Sequence, residues 1–433
     1  MASMTLHENP ALRDRYYRFT HKSGLDIYVF PKKLSTSYAV FGTKYGSVDN
    51  RFRVAGETEY TTVPDGIAHY LEHRMFTQSD GSDITERFSE YGADSNAYTT
   101  YTKTVYLFSA TEQVEESLAA LLDFVTDPYF TEELVERERG IIEQEIRMGE
   151  DNPYNQCFDR LMEALYHNNS VRNNVAGTVE SVERITAEML NRCYRAFYNP
   201  RNMALVVCGD VSPERVAEIA EKTLPESFRA VDVERSCAEE PREVRVAVTE
   251  REMAVSKPIF TIGIKDPELI ADGDERMHRY AAMSILCDAI FSRSGELYNI
   301  LFEQGMISPD FSCSYSVSET FAFTTISGDA DDPMAVLAYV KKYLRMLAEK
   351  GLSDEDVERS RRVLYSDFVK DFDSTEEIAN NMIDFIMDGA DLLEYGEQLA
   401  SVTLEEINRL IVTAFQDEYF AISVIRPQRK EKR

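Results

Sequence analysis

The sequence predicts an α+β protein of two duplicated domains, each a mostly antiparallel β-sheet covered by helices. Three observations carry this. The 433 residues exceed what one domain usually holds, and an apolar fraction of 43% supplies a sizeable core. Short segments recur in the same order at an offset of about 215 to 222 residues. Runs of β-branched and aromatic residues alternate with helix-period segments in both halves.

The recurring segments are residues 185–192, ITAEMLNR, against 402–409, VTLEEINR; Tyr106-Leu107-Phe108 against Phe321-Ala322-Phe323; and Val135-Glu136-Arg137 against Val357-Glu358-Arg359. Each match is weak alone, but their shared order implies a fold written twice. In the first half, residues 25–31 and 38–45 suit paired strands, a helix follows Pro64, and 97–108 reads as a further strand. Residues 114–125 and 132–148 have helical apolar spacing, and 203–209, MALVVCG, suits a central strand. The second half repeats the theme with strands at 258–264, 322–326 and 420–425 and helices at 280–291, 334–348 and 353–370. Residues 225–245 are charged, hold two prolines and lack periodicity. The expected division is therefore an N-terminal domain over 1–224, a linker over 225–245 and a C-terminal domain over 246–433.

Charge narrows the function. Lys+Arg 47 against Asp+Glu 76 gives a net charge of −29, which repels phosphate backbones and disfavours a nucleic-acid partner. The six cysteines are far apart and none forms a Cys-x-x-Cys pair, so free thiols in a reducing compartment are expected. No apolar run opens residues 1–14, and none elsewhere is long enough to span a bilayer. The expectation is a cytoplasmic protein with no membrane span.

The chemistry concentrates in residues 66–76, GIAHYLEHRMF. On a helix, His69 and His73 project from one face on successive turns and can chelate one zinc ion. Glu72 lies beside them, placed to take a proton from a zinc-bound water. Ile67, Leu71 and Met75 form a stripe that faces a core, and Pro64 with Asp65 supplies a start signal. With only six histidines in the chain, a chance i, i+4 pair is expected about 0.07 times. The alternative is a core-side helix whose histidines are satisfied by polar neighbours, a costly arrangement for two His and one Glu within five residues. A hydrolytic zinc usually has three protein ligands, so a carboxylate should complete the set. The acidic helix at 132–150 is its source, and periodicity leaves Glu138, Glu143, Glu145 and Glu150 open. Glu138 and Glu145 lie two turns apart on one face, so that one can bind metal while the other supports it.

Residues 69–73 match the inverted motif His-x-x-Glu-His, and the whole chain resembles the pitrilysin/insulinase/mitochondrial-processing-peptidase family of inverzincin zinc metallopeptidases, at the length of its half-size bacterial members. Phe76, the stretch GADSNAYTTYTKTVYLFS, the run ERERGIIEQEI and the segment VAGTVESVERIT share in the resemblance. It implies His69, His73 and Glu145 as zinc ligands, Glu72 as general base and Glu138 as the supporting carboxylate. It also implies that Asn96 and Ala97 open the strand that receives a peptide substrate by edge pairing. Half-size members typically work as homodimers or heterodimers around a chamber. At the second-half equivalents of the histidines stand Ser284 and Asp288, so one zinc site per chain is expected.

One departure matters. Active relatives carry an Arg and, seven residues on, a Tyr in the second domain, whereas Leu301 and Ser308 stand here. A related partner subunit is then expected to supply the pair, unless Tyr315 substitutes for part of it. The leading function is a zinc-dependent endopeptidase for short or unfolded peptides. The alternatives are a peptidase-like structural or assembly subunit with little activity alone, and a zinc amidase for non-peptide amides.

Overall fold

Apolar, β-branched strands place a seven-stranded sheet at the centre of the first compact unit in the computed structural model, which describes residues 3–79 and 81–428. The spatial order is Thr5–Asn9, Asp14–Thr20, Asp26–Pro31, Met203–Gly209, Ser37–Thr43, Thr104–Ala110 and Ala93–Thr99. Neighbours run antiparallel except Asp26–Pro31 beside Met203–Gly209. The second sheet orders Val248–Met253, Phe420–Pro427, Ile259–Lys265, Ala322–Asp329 and Ser312–Val317, with its first pair parallel and the rest antiparallel. This five-strand order and its single parallel pair repeat the last five strands of the first sheet. The duplication is therefore visible in topology, and the fold is α+β with antiparallel-rich sheets.

Two strand expectations are corrected. The strands near residues 25–31 and 38–45 are not paired with each other, because Met203–Gly209 lies between them and bonds to both. Its seven residues are all buried, as suits a strand covered on both faces. The segment 97–108 is not one strand but parts of a hairpin, Ala93–Thr99 and Thr104–Ala110. The Thr100 hydroxyl accepts the amides of Thr102 and Lys103, a local side-chain turn that reverses the chain.

The compact units are not contiguous halves. One comprises Met1–Ile146, Asn174–Cys237 and Val369–Leu393, and the other Arg147–Asn173, Ala238–Phe368 and Glu394–Arg433. Each half thus lends a helix to the other half's sheet. Pro153–Leu165 covers the second sheet at Ile259–Lys265 and Phe420–Pro427. Thr375–Met387 covers the first at Ser37–Thr43 and Met203–Gly209. A glycine on the corresponding strand admits each helix. A Cβ at Gly263 would lie 2.8 Å from Leu161 Cδ1, and one at Gly42 would lie 3.1 Å from Ile383 Cγ1.

Within 225–245, Val233–Arg235 pairs antiparallel with Arg51–Val54 in a small three-stranded sheet. Farther on, the Glu240 carboxylate accepts the amides of His167, Asn168 and Asn169 and the ammonium of Lys265. These partners tie the segment down. Among the described residues no helix is long and apolar enough to cross a membrane.

Candidate metal centre

The helix carrying the histidines runs Ile67–Met75, and its stripe of Ile67, Leu71 and Met75 is buried as the spacing requires. Its start differs from the expected Pro64-Asp65 signal. Gly66 is the N-cap, left-handed at φ 89°, with no side-chain cap. A Cβ on Gly66 would lie 2.4 Å from the Ala176 carbonyl oxygen, and one on Gly177 would lie 2.6 Å from that of Asp65. The two loops meet backbone to backbone, which only glycines permit, and Ser181 Oγ donates to the Asp65 carbonyl at 2.8 Å across the same junction.

The acidic helix Glu132–Asp151 turns Val135, Ile142 and Ile146 into the core that holds Leu71 and Met75. The Tyr70 hydroxyl donates to the Val135 carbonyl and fixes one helix against the other. Two acids then face the imidazoles. Glu145 Oε1 lies 3.6 Å from His69 Nε2, and its Oε2 lies 3.4 Å from His73 Nε2. Glu138 Oε1 lies 3.1 Å from His73 Nδ1. Donor atoms of His69, His73 and Glu145 fall within 4.8 Å of one another. Of the remaining candidates on this helix, Glu143 is half-buried and Glu150 exposed, and neither joins that group.

The donor set suits zinc. Metal–ligand distances of about 2.0–2.1 Å imply tetrahedral edges of about 3.4 Å, close to the 3.4 Å and 3.6 Å that separate Glu145 from His73 and His69. His69 Nδ1 is buried without a hydrogen-bond partner among the described residues, while its Nε2 faces Glu145. Its sister ring has such a bond, to Glu138, the arrangement that fixes ligand tautomers in metal sites. Arg74, 1% exposed, reaches Glu138 Oε2 at 3.6 Å and Thr77 Oγ1 at 3.1 Å.

Charge follows geometry. Burial, then the neighbouring His73, lowers the His69 pKa to about 4. Burial also opposes charge on His73, but its hydrogen bonds to Glu138 and Glu145 outweigh this and carry it up to about 10. Burial pushes Glu138 up, yet the His73 hydrogen bond and Arg74 leave it below the usual carboxylate range. The His73 hydrogen bond, followed by the His69 charge, holds Glu145 low despite partial burial. Glu72, 7% exposed, is pushed up by burial against the opposing Thr99 hydrogen bond and His73 charge.

Ala93–Thr99 bonds to one neighbouring strand and leaves its other edge open among the described residues. There the Ala97 amide donates to Asn96 Oδ1 at 2.9 Å. At the strand's end, Thr99 Oγ1 donates to Glu72 Oε2 at 2.5 Å. The residue patterns did not single out Thr99 or Arg74. The only trace of the former is a threonine run, TTYT, after Tyr98.

The second unit differs. Ser284 and Asp288 occupy the helix Gly273–Phe291, and Leu301 is fully buried in Glu296–Glu303. Ser308 Oγ donates to Asp329 Oδ1 at 2.6 Å. Tyr315, expected as a partial substitute, is 6% exposed and donates to Asp266 Oδ2 at 2.8 Å, where Arg279 also binds. Its hydroxyl proton is committed to that buried pair.

Comparison with known proteins resolves the lineage. Residues 55–179 match the family Insulinase (Peptidase family M16), and 184–364 match the Peptidase M16 inactive domain. The uncharacterized zinc protease YmfH of Bacillus subtilis (strain 168) is 38% identical over 407 residues, 93% of this chain and 95% of its own. The chain belongs to the M16 peptidase family. A solved M16-like protein from Alicyclobacillus acidocaldarius superposes with a TM-score of 0.92 at 32% identity, over 98% of this chain and 100% of the other. A Helicobacter pylori protease gives a TM-score of 0.81 at 18% identity over 96% and 100%, and shares the fold. The chain covers 95% to 100% of the length of these relatives.

Proposed function

We propose that this M16 protein is a zinc-dependent endopeptidase for short or unfolded peptides, with His69, His73 and Glu145 as zinc ligands. The observation that supports it best is the convergence of three metal-type donor atoms within 4.8 Å beside a buried carboxylate, Glu72. Bound there, zinc supplies Lewis acidity that polarises a scissile carbonyl and lowers the pKa of water. Glu72 accepts the proton of the attacking water and returns it to the leaving amine. Burial suits it to both steps, because a carboxyl pushed upward holds a proton more readily than an exposed one. Glu138 orients His73 through Nδ1. A peptide pairs along Asn96 and Ala97 as an added strand, exchanging the Asn96 side chain for its own carbonyl at the Ala97 amide. Recognition through backbone bonds favours extended chains and reads sequence weakly.

A second reading, a subunit that is nearly inactive alone, draws support from Leu301, Ser308 and the committed hydroxyl of Tyr315. In it, a related subunit forms a homodimer or heterodimer and brings the absent Arg and Tyr, donors whose loss typically costs about 10²–10³ in rate. Purified, zinc-loaded chain assayed alone on unfolded peptides separates the two. Turnover that disappears in Glu72→Gln with zinc retained supports the endopeptidase. Turnover only on adding a second subunit supports the other reading, and full activity in Glu72→Gln rejects Glu72 as base.

A further inference from the structure

We infer that Thr99 is the positioning residue that holds the Glu72 carboxylate in its working orientation. The inference rests on the endopeptidase reading for its consequence in catalysis, and on the structure for its geometry. Thr99 closes the edge strand Ala93–Thr99, and its hydroxyl donates to Glu72 Oε2 at 2.5 Å. That separation is at the short end of the range for O–H···O hydrogen bonds.

The proton has one destination. Thr104, opposite Thr99 in the ladder, lies 3.3 Å from it, oxygen to oxygen, but donates its own proton to the Tyr45 carbonyl at 2.9 Å. Thr104 therefore offers Thr99 only a distant acceptor at 3.3 Å, while the Glu72 carboxylate oxygen lies at 2.5 Å. Thr104 is fully buried.

Nor can Thr99 drift. The hairpin turn that follows it is clamped by the loop at Gly46: Ser47 N–H donates to the Thr100 carbonyl at 3.1 Å and Val48 N–H to the Tyr101 carbonyl at 3.0 Å. A Cβ on Gly46 would lie 2.4 Å from Tyr101 O, so the two backbones touch. From the helix side, Glu72 is fixed by the buried neighbours Leu71 and Met75. A carboxylate on a long side chain keeps rotamer freedom about its last torsions, and the Thr99 hydroxyl is what removes it here. Pre-organised geometry of this kind is worth about a hundredfold when it slips by an ångström. The strand proposed to receive substrate is thus also the strand that aims the base.

The test compares zinc-loaded wild type, Thr99→Val and Thr99→Ser by steady-state kinetics, zinc content and crystal structure. Valine keeps the shape and loses the hydroxyl, and serine keeps the hydroxyl. Expected is a fall in kcat of about tenfold to a hundredfold for T99V at unchanged KM and zinc content, with T99S within about threefold of wild type. The crystal structures should show Glu72 turned or in several rotamers in T99V, and unmoved in T99S. Wild-type kcat in T99V, or a Glu72 carboxylate that stays in place without the hydroxyl, overturns the proposal. If zinc-loaded wild type cleaves no peptide, the endopeptidase reading fails, while the Glu72 position in T99V still decides whether Thr99 holds it.

Discussion

Glu138 Oε1 lies 3.1 Å from Nδ1 of His73, on the side of the ring away from Glu145. One helix therefore supplies both an acid for the proposed metal and an acid for the ring that binds it. Glu138→Gln should weaken zinc affinity by about 10- to 100-fold with the fold intact. Competition against a chelator of known affinity checks this; unchanged affinity would remove Glu138 from the site.

Zinc uptake at pH 7 should release about one proton from the protein's ligands. His73, raised to about 10, starts as imidazolium, whereas His69, lowered to about 4, starts neutral and Glu145 starts ionised. Calorimetry in buffers of different ionisation enthalpy measures the count. In metal-free protein the same shifts set stability. The His73 contribution is complete below its unfolded value of about 6.5 and is lost as pH rises through the folded value. His69 acts on the other side, its contribution lost as pH falls through the interval between its unfolded and folded values.

Gly66→Ala should destabilise by about 2–4 kcal/mol, since it forces a Cβ onto the Ala176 carbonyl at a left-handed position. Because Gly66 caps the helix of His69 and His73, zinc affinity should fall with it. Thermal unfolding with and without zinc provides the check, and an unchanged Tm would show that the junction yields.

Ile383→Ala should cost about 2–4 kcal/mol. Ile383 is fully buried on Thr375–Met387, facing Gly42 in the first sheet. Hydrogen exchange after the substitution should rise in Met203–Gly209, which the helix covers. Exchange that rises only in the second sheet would contradict the assignment of this helix to the first unit.

Much of this was legible in residue order. The stripe Ile67, Leu71 and Met75 and the pairing of two histidines on one helical face follow from period alone. The repeated segments foretold the repeated strand order. Which acid faces the imidazoles did not follow, because Glu138, Glu143, Glu145 and Glu150 share one helix and its rotation depends on where Val135, Ile142 and Ile146 find a core. Nor did the helix exchange. Pro153–Leu165 and Thr375–Met387 are amphipathic helices of equal length, and amphipathicity says that a face is covered, not by which sheet. Gly66 and Gly177 look like ordinary loop glycines until their backbones are seen to touch.

Everything proposed for catalysis requires His69, His73 and Glu145 to grip one zinc ion. Anomalous diffraction at the zinc edge from crystals of the zinc-loaded protein tests it most directly. One strong peak per chain is expected, bonded to Nε2 of both histidines and to the Glu145 carboxylate. No peak there, or zinc bound elsewhere with these three side chains apart, would contradict it.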